Sequence, residues 1–144
     1  MKLSTKGRYG TKALLDIALH QKEGPVLLKD IARRQEISLS YLEHLISPLS
    51  AAGIVQGIRG PKGGVLLVKP PAEIKLSRVI QLLEGSFTPV ECVNNPSVCS
   101  RSGSCVTRDV WTDVKKAIED VLESVTLQDL VERQKSKEQP MYYI

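Results

Sequence analysis

The stretch from Ser38 to Gly53 carries an apolar and a polar stripe, both spaced with the period of an α-helix. The apolar stripe consists of Leu42, Leu45, Ile46 and Leu49, and the polar stripe of Ser40, Glu43, His44 and Ser47. The polar residues precede the apolar ones by two positions, which is about 200° of rotation at ~3.6 residues per turn. With Ser38 as N-cap and Gly53 as the stop, the pattern predicts a helix with one buried and one free face. Pro48 is expected to bend this helix or to end it near Ser47.

Two further helices are predicted before this one. The first runs from Ser4 or Thr5 to about Gln21 and carries an apolar stripe of Leu15, Ala18 and Leu19. The second, residues 28–34, turns Ile31 and Ala32 inward and leads into a tight turn over residues 35–37. A short helix, a tight turn and a longer helix with one free face are typical of a helix-turn-helix. A small helical bundle of another kind is the alternative.

A hairpin is predicted directly after the third helix. Two apolar runs, residues 54–58 and 65–68, flank a turn of sequence RGPKGG. Its glycines allow the backbone to approach a phosphate or to enter a groove, while Arg59 and Lys62 supply positive charge. A hairpin in this position is a wing. We therefore predict a mainly α fold with a small β-hairpin, a winged helix-turn-helix.

Positive charge is concentrated in the first half of the chain. Residues 1–70 contain 11 Lys and Arg against 5 Asp and Glu, whereas residues 71–144 contain 9 against 11. The two halves therefore carry +6 and −2, although the whole chain carries only +4. This asymmetry indicates that the first half binds a polyanion, and double-stranded DNA is the expected one. A basic face that contacts only water is the alternative.

All three cysteines, Cys92, Cys99 and Cys105, lie within fourteen residues of the second half. The residues between them include Asn, Pro and Gly and show neither helical nor alternating periodicity, so an irregular loop is predicted. Thiolates select zinc, copper(I) or iron-sulfur clusters, and gaps of six and five residues are wider than the close pairs of zinc sites. The spacing favours a larger inorganic core. A thiol switch and inert packing are the alternatives.

Several classes of protein are disfavoured by the sequence. No run approaches the ~18 apolar residues of a membrane helix, and the N-terminus lacks the apolar stretch of a secretory signal. Clustered cysteines fit metal or redox chemistry in a reducing compartment. Because the chain offers no nucleophile-base pair, phosphate-binding loop or second redox site, we expect no enzyme. We expect a soluble, cytoplasmic protein with no membrane partner and no small-molecule substrate.

Three helices are predicted in the second half. The first spans residues 76–83 and turns Val79, Ile80 and Leu83 inward. The second spans residues 107–124, and its apolar stripe consists of Val110, Val114, Ile118, Val121 and Leu122. Charged residues cover much of its remaining surface, so we expect it to pair with a second copy in a homodimer; packing within its own chain is the alternative. Thr126 is expected to cap a last helix, residues 127–133, before a polar tail that ends in Met-Tyr-Tyr-Ile.

The opening MKLSTKGRYG, the segment SLSYLEHL, the turn RGPKGG and the three-cysteine loop together resemble the bacterial winged-helix iron-sulfur cluster regulators of the IscR type. The resemblance covers nearly the whole chain and stops short of the tail. Relatives in this family include a nitric-oxide-sensing repressor and regulators of iron and cysteine metabolism. The resemblance implies a DNA-binding transcription regulator that dimerises through its long helix and controls iron-sulfur cluster biogenesis genes.

The resemblance also implies an iron-sulfur cluster, expected to be 2Fe-2S, on the three cysteines; 4Fe-4S relatives leave the nuclearity open. In the most similar family member a histidine three positions after the last cysteine is the fourth ligand, and here that position holds Arg108. A protonated guanidinium has no lone pair to donate. Asp109 is favoured instead, with Glu91, Thr107, an external thiol or a group of the partner subunit left open. In another relative the fourth ligand is an acidic residue near the start of the partner subunit's chain. This chain has Arg8 at that position, so a ligand of that kind is not expected.

DNA contacts are predicted on the third helix, the wing and the N-terminus. Glu43 can accept a hydrogen bond from a cytosine amino group, and in the family this glutamate is linked to cluster-dependent selectivity. Arg59 is expected to enter the minor groove, whereas Lys6, Arg8 and Lys62 are expected to contact phosphates. The full predicted set is Ser38, Ser40, Tyr41, Glu43, His44, Arg59, Gly60, Lys62, Lys6 and Arg8.

The two prolines at positions 70 and 71 mark the predicted domain boundary. Residues 1–70 form the DNA-binding domain, and residues 71–144 form a cysteine-loop sensor and dimerisation region. The leading hypothesis is a regulator whose cluster state changes its affinity for a palindromic operator or its choice among operators. A cluster-free cysteine redox switch is the alternative within regulation, and an iron-sulfur scaffold or redox protein is the alternative from another class.

Overall fold

The computed structural model of the protein describes residues 2–138. Its elements are α1 (Thr5–His20), α2 (Leu28–Gln35), α3 (Leu39–Ala51), β1 (Val55–Ile58), β2 (Gly64–Leu67), α4 (Leu76–Glu84), α5 (Glu91–Asn94), α6 (Val106–Ser124) and α7 (Leu127–Glu138). Single 3-10 turns connect several of them. The mainly α fold with one two-stranded hairpin confirms the predicted fold class. The apolar end of the tail lies outside the described residues.

Helices α1, α2 and α3 share one hydrophobic core. The apolar stripe of α3 and the two inward residues of α2 are buried as predicted. The stripe predicted on α1 was wrong, because its buried face is formed by Ala13, Leu14 and Ile17, while Leu15 and Ala18 are only partly buried. The reason is that α1 packs against α2 and α3 and also against α4 and α7. These four helices cover a wider part of the α1 surface than the single apolar stripe that was predicted from helical periodicity.

The turn between α2 and α3 has the expected capping chemistry. Glu36 adopts the left-handed conformation (φ 56°), and the Ser38 hydroxyl oxygen accepts a hydrogen bond from the backbone N–H of Tyr41 at 3.1 Å. Helix α3 continues past Pro48 to Ala51, so an early end near Ser47 was wrong. The completely buried Leu49 holds the last turn in the core, which offsets the hydrogen bond that proline removes.

The wing is anchored to the connection between α1 and α2. Val55 pairs with Leu67 at one end of the antiparallel hairpin, and Ile58 pairs with Gly64 at the other. Val26 adds a further bridge, because its N–H donates to the Val65 carbonyl at 2.9 Å and its carbonyl accepts from the Val65 N–H at 2.8 Å. A Cβ at Gly64 would lie 2.4 Å from the Val26 carbonyl oxygen. This close approach therefore requires glycine.

One buried carboxylate ties α1 to α2. Asp16 is 2% exposed. Its two oxygens accept hydrogen bonds from Arg34, with Nε to Oδ2 at 2.9 Å and Nη2 to Oδ1 at 2.6 Å, and from Gln35 Nε2 at 2.9 Å. The bond to Asp16 raises the pKa of Arg34, although partial burial opposes it. This two-point contact fixes the angle between the first helix and the helix-turn-helix.

The second half of the chain packs onto the first through α4 and α7. Helix α4 buries Val79, Ile80 and Leu83 as predicted and lies against α1. Thr126 caps α7 as predicted, since its hydroxyl accepts from the Asp129 N–H at 3.1 Å. Helix α7 extends to Glu138, beyond the predicted end at residue 133. The core cluster contains residues from both halves of the chain, and the domain boundary at residue 70 stays a prediction.

Candidate nucleic-acid interface and cysteine loop

The polar face of α3 is free. Ser40, Glu43, His44 and Ser47 are all exposed, while the opposite stripe is buried. The positive end of the α3 dipole lies at Ser38, whose side chain already caps it. This face can therefore be offered to a groove of DNA in the manner expected for a recognition helix.

Tyr41 differs from its neighbours on α3. Its hydroxyl is buried and has no hydrogen-bond partner among the described residues. Its ring meets the Tyr9 ring edge-on, with centroids 6.4 Å apart and an interplanar angle of 79°. The pair links the first turn of α3 to α1. The predicted DNA contact of Tyr41 stays a prediction, and the structure gives this residue a packing role.

A second cation accompanies Arg8 on α1. The Lys12 ammonium lies 5.0 Å from the centroid of the Tyr9 ring, and the Arg8 guanidinium carbon lies 5.8 Å from it. Lys12 is exposed and was missing from the predicted contacts. Its spacing of four residues from Arg8 places both on one face of a helix, and this signal could have identified it. Lys6, also predicted, is exposed in the first turn of α1.

The cationic side chains of the wing turn are exposed to solvent. Arg59, Gly60 and Lys62 are exposed between β1 and β2. Gly60 has a φ of 112°, and its carbonyl accepts from the Gly63 N–H at 2.9 Å. A Cβ at Gly63 would lie 2.2 Å from the Ile58 carbonyl oxygen, so the turn is shaped by glycine.

The cysteine loop connects α4 to α6. Cys92 lies on α5, Cys99 follows a 3-10 turn (Pro96–Val98), and Cys105 is the N-cap residue of α6. The prediction of an entirely irregular loop was therefore wrong, because residues 91–94 form one helical turn before Asn95 and Pro96 end it. All three thiols are free, with Cys99 exposed and the other two half-buried.

The donor set suits a sulfur-ligated centre, but the thiols do not converge. Within residues 2–138 no group of three His, Cys, Asp or Glu side chains is close enough to hold a metal ion. A hydrogen bond between Cys105 Sγ and the Thr107 hydroxyl, at 3.1 Å, lowers the pKa of Cys105, and backbone N–H groups of α6 act in the same direction. A lower pKa increases the thiolate fraction, which is the metal-binding form.

Arg108 holds the two ends of the cysteine loop together. Its Nε donates to the Cys92 carbonyl at 3.0 Å, which joins α5 to the first turn of α6. Arg108 is therefore a structural residue here and offers no lone pair. The Asp109 carboxylate is exposed, and its negative charge weakly opposes the lowering of the Cys105 pKa. Asp109 follows Cys105 by four residues and stays the predicted fourth ligand, while Glu91 is also exposed.

Helix α6 leaves much of its apolar surface uncovered. It spans 19 residues, and none of them is buried. Val110 and Val121 of the predicted stripe are 51% and 61% exposed, and the neighbouring Val106 is 75% exposed. The remaining stripe residues, Val114, Ile118 and Leu122, are half-buried. Packing within the same chain therefore covers only part of this helix.

Sequence and structure comparisons identify the family. The model of the Rrf2 family, described as an iron-dependent transcriptional regulator, matches residues 3–133. This chain belongs to the Rrf2 family. It is therefore a DNA-binding transcription regulator and not an enzyme, as predicted. The Rrf2 assignment also agrees with the exposed face of α3 and with the wing.

Two solved structures and one curated relative are similar to this Rrf2 chain over most of its length. The regulator IscR of Pectobacterium atrosepticum is 46% identical over 91% of this chain and 79% of its own. The structure of T. potens IscR has a TM-score of 0.82 at 42% identity, covering 99% of this chain and 95% of its own. The structure of CymR, the global cysteine regulator of B. subtilis, has a TM-score of 0.79 at 39% identity and covers 92% of this chain and 98% of its own.

No helix within residues 2–138 combines the length and apolarity needed to cross a bilayer.

Proposed function

We propose that this protein is a homodimeric, cytoplasmic regulator whose cysteine loop carries an iron-sulfur cluster, of the 2Fe-2S type, and whose cluster state controls operator binding. The observation that carries the proposal is the placement of three free thiols on the loop that joins α4 to α6. Through α4 this loop is connected to the α1 side of the DNA-binding half, and through α6 to the uncovered apolar surface. The expected targets are iron-sulfur cluster biogenesis genes.

The cluster is held by Cys92, Cys99 and Cys105, with Asp109 as the fourth ligand. A bound cluster supplies a centre that can be lost or oxidised, which makes it a sensor. Because the thiols do not converge in the described structure, the loop would have to close to bring all three cysteines to one cluster. Arg108 already ties the Cys92 carbonyl to the first turn of α6, so closure would move both the exposed segment around Cys99 and α5, which carries Cys92. An oxygen ligand makes the cluster easier to release than four thiolates would.

DNA is bound by the free face of α3, the wing and the N-terminal turn of α1. Glu43, Ser40 and His44 read bases, Arg59 enters the minor groove, and the cations of α1 contact phosphates. On α1, Lys12 joins Lys6 and Arg8 in contacting phosphates, and Lys62 of the wing turn contacts phosphates as well. Two copies paired through α6 present two recognition helices, which suits a palindromic operator.

A cluster-free thiol switch is the second candidate. Two observations favour it: the thiols are separate in the described structure, and one similar protein is a cysteine regulator. In that case oxidation joins two cysteines in a disulfide and changes the shape of the loop. Such a switch needs two cysteines, whereas a cluster uses all three.

Replacing Arg59 separates DNA binding from the sensor. Arg59→Ala should weaken binding to an operator duplex about tenfold or more, since a minor-groove guanidinium contributes both charge and fit. The iron content should remain that of the wild type. Fluorescence anisotropy with a duplex selected by the wild type from a random pool measures the first quantity. Lys135→Ala on α7 removes the same charge from a residue outside the predicted interface and should bind as the wild type does. Equal affinities for the two variants would contradict the assignment.

A further inference from the structure

Glu84, the last residue of α4, lies at the first turn of α1. Its Oε1 accepts hydrogen bonds from the backbone N–H groups of Ser4 at 2.9 Å and Gly7 at 3.0 Å, and from the Ser4 hydroxyl. Ser4 is the N-cap residue of α1, yet its side chain makes no capping bond within the helix. Glu84 therefore replaces the usual cap, because it satisfies free N–H groups and places negative charge at the positive end of the helix.

The contact between α1 and α4 depends on two glycines. A Cβ at Gly7 would lie 2.5 Å from Glu84 Oε1, and a Cβ at Gly10 would lie 2.2 Å from Leu83 Cδ1. Both glycines are buried. Side chains at these positions would push the helices apart, so the close approach holds the first turn of α1 against the end of α4. That turn carries the predicted phosphate contacts Lys6 and Arg8.

The segment after Glu84 is attached to the cysteine loop by three side chains, which we call the clasp: Ser86, Thr88 and Asn94. Asn94 Nδ2 donates to the Ser86 hydroxyl at 2.5 Å and also to the Thr88 hydroxyl, and these two hydroxyls lie 3.1 Å apart. Asn94 ends α5 and follows Cys92 by two residues. A recess of about 150 Å³ is lined by Lys2, Glu84, Phe87 and two clasp residues, so Lys2 lies beside the clasp.

We propose that Glu84 is a positioning residue for DNA binding and that the clasp connects it to the cysteine loop. This inference rests on the proposed function for its link to the cluster. Closure of the loop around a cluster moves α5, and therefore Asn94. The clasp passes the movement to residues 85–88 and to the Glu84 carboxylate, and the first turn of α1 shifts against the DNA phosphates. The contact between Ser4 and Glu84 joins residues that are 80 positions apart in sequence.

Amide hydrogen exchange at Gly7 in the cluster-free protein tests the connection directly. The Gly7 N–H donates to Glu84, so Glu84→Ala should raise its exchange rate on the order of tenfold, and Glu84→Gln, which keeps an acceptor, should raise it less. Asn94→Ala should raise the rate about threefold by releasing the clasp. Asn95→Ala is the matched control, because Asn95 bonds Ser97 outside the clasp and should leave Gly7 unchanged. An Asn94→Ala variant with wild-type exchange at Gly7 would overturn the inference.

The regulatory consequence is measured as the ratio of DNA affinities with and without the cluster, using the duplex selected by the wild type. Asn94→Ala should move this ratio towards one at unchanged iron content, and Asn95→Ala should keep the wild-type ratio. By linkage the same coupling should appear in cluster retention on DNA. A wild-type ratio of one would reject cluster control in the proposed function, while the Gly7 exchange would still test whether Glu84 and the clasp hold the first turn of α1. A wild-type ratio retained in Asn94→Ala would reject the coupling.

Discussion

Serine in place of any one of Cys92, Cys99 or Cys105 should reduce the bound iron of the purified protein to background. In the proposed cluster, three thiolates and one oxygen ligand would leave no spare donor, since the histidine position is taken by Arg108, which instead donates to the Cys92 carbonyl. A serine hydroxyl is a poor substitute because it is a hard ligand that remains protonated near neutral pH. All three variants should therefore behave alike. Iron and acid-labile sulfide analysis after anaerobic purification measures the effect.

The same series separates the cluster from the thiol switch. A disulfide requires two cysteines, so under that mechanism one of the three serine variants would keep the wild-type response to oxidants. Ser100→Ala, in the same exposed loop, is the control and should retain its iron. If one cysteine variant kept both wild-type iron and wild-type colour, ligation by all three cysteines would be wrong.

Arg34→Met should destabilise the fold far more than Arg33→Met, the same substitution one residue earlier. It leaves the Asp16 carboxylate, 2% exposed, without the guanidinium that binds both of its oxygens. Removing one partner of a buried pair costs about 3–5 kcal/mol. Gln35 remains as a donor, so we expect about 3 kcal/mol. Thermal unfolding should shift downwards by roughly 10 °C for a chain of this size.

The neighbouring arginine provides the matched control. Arg33 pairs with Asp30 at 3.6 Å, and its side chain is 73% exposed. Exposed pairs contribute about 0–1 kcal/mol, so Arg33→Met should unfold close to the wild-type temperature. Adding Asp16→Asn to Arg34→Met should recover part of the loss, because the uncompensated charge is gone. Equal stability of the two single arginine variants would show that the Asp16 contact does not hold α1 to α2.

Helix α3 was predictable because one of its faces is buried and the other is free, so a single period describes it. The buried face of α1 was missed for the opposite reason. Its partners α2, α3, α4 and α7 come from the whole chain, and no local pattern shows how widely they cover it. The end of α7 was placed too early because its last turns contain no apolar residues, although Gln134 and Glu138 form a bond at the i,i+4 spacing.

The sequence predicted which residues of the candidate site are exposed, but it did not predict how they are arranged. Exposure of Glu43, His44 and Arg59 follows from periodicity and from the glycine turn. The Glu84 cap could not be predicted, because it joins residues that are 80 positions apart. The separation of the thiols was also outside the reach of sequence, since spacing identifies the type of ligand and leaves the path of the loop open.

The visible absorption spectrum of the protein purified without oxygen, together with iron and sulfide analysis, tests the central claim most directly. We predict a red-brown protein with equal amounts of iron and acid-labile sulfide, two of each per chain for a 2Fe-2S cluster. A colourless protein without iron that cannot be reconstituted would contradict the cluster proposal and would leave the thiol switch as the account of the cysteine loop.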